Sequence, residues 1–84
     1  MTVPIVHSNG TSKEELLDQI TKACYAIGQA IDAVNDAQPN QRDYYPLPSE
    51  AWSQAQADHI ARLRLLTQLR KEYFNLAIAI DTQG

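Results

Sequence analysis

The stretch from Ser49 to Ile80 restricts what this chain can become more than any other. Trp52, Ala55, His59, Leu63, Leu66, Leu69, Tyr73, Leu76 and Ile80 recur at steps of three and four. That spacing stacks side chains along one side of an α-helix. No glycine or proline interrupts residues 52–80, so the spacing predicts one continuous helix over 49–80. Ile60, Phe74 and Ile78 form a second apolar flank, which makes the greasy surface wider than a single partner helix can cover.

A second stripe precedes it. Leu17, Ile20, Cys24, Ile27, Ile31 and Val34 alternate steps of three and four without a break, the seam pattern of a coiled-coil-like helix. Leu16, Ala23 and Ala30 widen this stripe on one side. Thr11-Ser12-Lys13-Glu14-Glu15 is a helix start: Thr11 with Glu14, or Ser12 with Glu15, fits a capping box. Two acidic residues in the first turn suit the positive end of the helix dipole. The predicted helix covers 12–37, and Gly28 inside it weakens the helix by about 1 kcal/mol relative to alanine. A missing side chain there would either let a neighbouring helix approach closely or be merely tolerated.

Between the stripes, residues 38–48 form a connector. Pro39, Pro46 and Pro48 break the helical pattern, and Ser49 with Glu50 reads as the cap of the second helix. Residues 1–10 hold Pro4, a β-branched cluster and the pair Asn9-Gly10, the signature of an extended arm that ends in a turn. Residues 81–84 read as a frayed end.

One 84-residue domain follows, all-α, an antiparallel two-helix hairpin. Such a hairpin is a rod, and it leaves Leu16, Ile60, Phe74 and Ile78 partly in water. Each large apolar side chain left exposed forgoes about 1.5–3 kcal/mol, and a small domain has little margin to forgo. These four residues are therefore the candidate oligomer interface. Two hairpins pairing as a four-helix bundle would cover them, and a two-fold dimer is the commonest closed assembly.

Composition excludes several functions. No run of about 18 apolar residues offers a membrane span, and the N-terminus lacks the basic region of a secretory signal. Net charge is −3, a poor match to a polyanion. Arg62, Arg64, Arg70 and Lys71 carry the alternative reading, a small helical regulator associated with nucleic acid, but they are spread around the helix. Cys24 is the one cysteine; it points to a reducing interior and reads as an apolar filler on the seam. His59 beside Asp58 reads as a core histidine, since adjacent helical side chains diverge by about 100°. His7, Cys24 and His59 share no helix face, so no metal site is expected. No phosphate loop or nucleophile elbow is present. The expectation is a non-enzymatic protein with no cofactor.

The most distinctive segment is Arg42-Asp43-Tyr44-Tyr45-Pro46. Tyrosine and arginine are favoured at binding hot spots, so Arg42, Asp43, Tyr44 and Tyr45 are the candidate contacts for a protein partner. The same tyrosines could instead close the open end of the hairpin core, or divide the two tasks between them.

His7-Ser8-Asn9-Gly10-Thr11-Ser12 ahead of one helix, and Asn40-Gln41-Arg42-Asp43-Tyr44-Tyr45-Pro46 between two, resemble the pattern of small uncharacterised helical proteins of phages and prophages. The resemblance covers the layout of most of the chain. It implies a cytoplasmic setting in a bacterial or phage-infected cell, or the virion, with a role in the particle or in host takeover. It transfers no activity.

Overall fold

The computed structural model describes residues 1–83. Helix α1 runs Lys13–Asp36 and helix α2 runs Ser49–Asp81, joined by a connector containing one 3-10 turn, Gln41–Tyr44. The two long helices pack against each other along their length as an antiparallel hairpin, with no strand among the described residues. The molecule measures 62 × 20 × 16 Å with a radius of gyration of 18.7 Å. A compact globule of this length would have a radius of about 12 Å, so the hairpin is a rod.

Local chemistry sets the helix ends. Ser12 takes the cap of α1 with an extended backbone, and its Oγ accepts the Glu15 N–H at 3.1 Å. At the other end the Ala37 N–H is shared between the Ala33 and Val34 carbonyls at 3.2 and 3.1 Å. That tightening is common where a helix stops. Pro39, two residues on, has no N–H to continue the ladder. Asn40 then restarts the chain: its Oδ1 accepts the Arg42 N–H at 3.1 Å and opens the 3-10 turn.

Helix α2 starts at Ser49 as expected, but its cap differs from expectation. Pro48, not Ser49, holds the cap position, with ψ 152, and no side chain caps the helix. The Pro48 carbonyl accepts the first-turn bond from Ala51 N–H at 2.9 Å. The fixed φ of proline with an extended ψ is the geometry of a cap residue, so Ser49 falls inside the first turn.

The register of the hairpin is readable from three levels. Lys13 meets Gln83, Gly28 faces Arg70, and Gln38 shares a cleft with His59. Each step along α1 thus matches one step back along α2. Among the described residues Ile20, Ile31 and Ile80 are the buried apolar side chains, and the rest of both seams is half-covered except Leu69, which is 41% exposed. Because α1 has 24 residues and α2 has 33, the first turns of α2 extend past the end of α1. The connector folds over that overhang.

Gly28 is not required for close packing. A Cβ placed there would meet only Arg70 Nη1, at 3.6 Å, an ordinary contact. Gly10 is different, since a Cβ there would sit 2.7 Å from Nε2 of His7, whose ring lies over the turn.

The C-terminal residues are not frayed as far as Gln83. The Gln83 side-chain amide clasps the N-terminal arm. Val6 N–H donates to its Oε1 at 2.9 Å, and its Nε2 donates to the Pro4 carbonyl at 2.7 Å. The Lys13 ammonium donates to the Gln83 carbonyl at 2.9 Å. Met1 reaches a cleft lined by Leu69, Glu72, Tyr73 and Leu76. Five extended residues span about 17 Å, and ten helical residues about 15 Å. The arm therefore lies beside the last three turns of α2. Gly84, the final residue of the expected tail, lies outside the described residues.

Candidate functional site

The connector separates its two tyrosines. Tyr44 is half-buried and its ring packs on Trp52, centroids 5.8 Å apart and planes tilted by 50°. Offset, tilted pairs of this kind are favourable. Tyr45 is 71% exposed, with Arg42 and Asp43 also in solvent. Of the four partner-contact candidates, Tyr44 closes the overhang and Arg42, Asp43 and Tyr45 present a surface.

The four oligomer candidates do not share a face. Ile60, Phe74 and Ile78 are 49%, 60% and 48% exposed and fall on one flank of α2 by helical spacing. Leu16 is half-buried. It belongs to the α1 flank with Ala23 and Ala30, which the helical repeat places well away from Gly28. Since Gly28 and Arg70 mark the side on which Phe74 lies, Leu16 looks the other way.

That side of the rod can be called the open face. On α1 it carries Asp18, Thr21, Tyr25, Gly28 and Asp32. On α2 it carries Ile60, Thr67, Arg70 and Phe74, with Arg64, Lys71 and Ile78 along its edge. Tyr25 is 69% exposed. The seam-based reading missed it because it lies off the stripe. Its signal was available: an aromatic seven residues from both Asp18 and Asp32 on the polar side of an amphipathic helix.

Charge divides between the helices of this face. Helix α1 has carboxylates at 14, 15, 18, 32 and 36 against Lys13 and Lys22. Residues 62–71 of α2 hold Arg62, Arg64, Arg70 and Lys71 with no carboxylate between them. The one ion pair among the described residues is Asp18 with Lys22, 2.9 Å, one turn apart on α1. Among the described residues Asp32, Asp36 and the cations of α2 have no ionic partner.

Reactive side chains do not converge. His59 is half-buried at the level of Gln38, while neighbouring Asp58 accepts Gln54 Nε2 at 2.7 Å. Cys24 is half-buried on the seam. Among the described residues no group of three or more His, Cys, Asp or Glu is placed to hold a metal ion, and no helix is long and apolar enough to cross a membrane. Comparison with family models, with curated proteins and with solved structures finds no match.

Proposed function

We propose that this chain is a non-enzymatic assembly module that associates with a second copy of itself and offers its connector to a protein partner. One observation supports the reading: the hairpin exposes more surface than a compact monomer of its mass. Its accessible area is 6428 Å² at 9.4 kDa, whereas a compact monomer of that mass exposes about 5,000 Å². Only three apolar side chains are buried among the described residues. Pairing into a four-helix bundle removes part of that surplus from water.

Sedimentation equilibrium over a wide concentration range tests the reading. The expected result is a dimer mass; a monomer mass up to the solubility limit overturns it. Arg42, Asp43 and Tyr45 are the residues offered to the second, unlike partner. The likeness to small phage and prophage proteins supports a phage-encoded adaptor of the cytoplasm or the particle. The nucleic-acid reading rests on four solvent-exposed cations within residues 62–71. It is the weaker reading, because apolar residues interleave with Arg64 and Lys71 on the same flank. A salt-dependent gel shift would favour it.

A further inference from the structure

The geometry points to a specific pairing: two hairpins stack through their open faces with rods parallel, α1 of each copy on α2 of the other. This rests on the assembly reading above and adds which face, which direction and which side chains. The occupant is a second copy of this chain, and charge complementarity selects it. Towards its middle the open face is acidic on α1, at Asp32, and basic on α2, from Arg64 to Lys71; nearer its end Asp18 is paired with Lys22 and Asp81 adds a carboxylate to α2. A two-fold axis along the rod sets each acidic stripe on the other copy's basic stripe. The other face-to-face arrangement, with the axis across the rod, would set acid on acid and base on base, a costly juxtaposition.

Register narrows the pairing further. Within one hairpin Lys13, Gly28 and Gln38 stand level with Gln83, Arg70 and His59. An axis along the rod does not move these levels. Asp32 of one copy then stands level with Arg64 of the other, Tyr25 between Lys71 and Phe74, and Asp18 beside Ile78. The exposed ring of Tyr25 gains an aromatic and a cationic neighbour, and Asp32 gains the ionic partner it lacks. The area is adequate. The shared length of the helices is about 36 Å and the rod is 20 Å wide. Each copy offers about 700 Å², near the ~800 Å² per partner of a standard stable interface.

Sedimentation equilibrium on four chains decides it: the unaltered chain, Asp32→Arg, Arg64→Asp, and both together. Both positions are exposed in the single hairpin, and far-UV circular dichroism of each chain verifies that the helices persist. Two symmetry-related pairs are reversed in each single variant, so dimerisation should weaken about tenfold. The double variant should regain most of the loss. If the unaltered chain is a monomer throughout, the assembly reading fails and this pairing with it. If the chain dimerises but the single reversals have no effect, or the double variant recovers nothing, the pairing is overturned and assembly stands. Tighter dimers from Asp32→Arg alone would place α1 on α1 and also overturn it.

Discussion

Replacing Tyr44 with alanine should cost far more than replacing Tyr45, although the two are neighbours of one type. Tyr44 is half-buried against Trp52. Truncating a fully buried large aromatic costs about 3–5 kcal/mol, and half-burial brings the expected loss to about 2 kcal/mol, including the ring–ring contact. Tyr45, 71% exposed, should stay within about 0.5 kcal/mol, as surface substitutions do. Trp52 is the sole tryptophan, so its fluorescence reports on the connector and the overhang around it. Urea unfolding of the two variants, followed by Trp52 emission and far-UV circular dichroism, gives the comparison. The native emission of Tyr44→Ala should shift to the red as the indole meets water, and that of Tyr45→Ala should not. Equal losses in the two variants, or an unshifted spectrum in Tyr44→Ala, would refute the placement of the connector over the α2 overhang.

Gly28→Ala should stabilise the hairpin by about 1 kcal/mol, the helix-propensity difference, because the added methyl meets only Arg70 Nη1 at 3.6 Å. Thermal melts should show a rise of about 4–8 °C, and a fall would show that the helices approach more closely at this level. Ser12→Ala should lose about 1 kcal/mol with the Glu15 N–H bond. Ser49→Ala should lose almost nothing, since Ser49 makes no cap; matched melting curves of the pair separate the two positions. Gln83→Ala removes both side-chain bonds to the arm, so amide exchange at Val6 should accelerate while the middle of α1 keeps its protection. Unchanged exchange at Val6 would mean the clasp does not hold the arm.

The hairpin was legible because its information is periodic. Two stripes with uninterrupted steps of three and four, divided by three prolines, leave little besides two helices folded back on one another. The end of α1 was legible to one residue, since Pro39 limits it sterically. The start of α2 at Ser49 was legible too, but its cap was not, because a proline and a serine can each occupy a cap position and only backbone angles distinguish them. Sorting Tyr44 from Tyr45 needed the overhang, which follows from a difference in helix length rather than from either ring's neighbours in sequence. The oligomer candidates are the large apolar residues that flank the two stripes. Apolarity finds Ile60, Phe74 and Ile78, but it also selects Leu16, and it passes over Tyr25, whose exposure follows from lying off the seam.

The Gln83 clasp had no sequence signal, since a lone amide acting 77 and 79 residues away leaves no period. Its consequence for assembly is nonetheless direct. The arm runs beside the last three turns of α2, and Met1 borders the cleft of Leu69, Tyr73 and Leu76, which faces away from the open face. A rod with two bare broad sides could add copies on both and grow without end, as heterologous contacts do. With one side strapped, only the open face remains for a second copy over most of that length. Leu65, one turn beyond the cleft, is the exception. The proposed two-fold pair through the open face would then close the assembly. Loosening the strap with Gln83→Ala should broaden the size distribution beyond dimers in sedimentation velocity, and a dimer unaltered by that change would show that the arm has no part in limiting assembly.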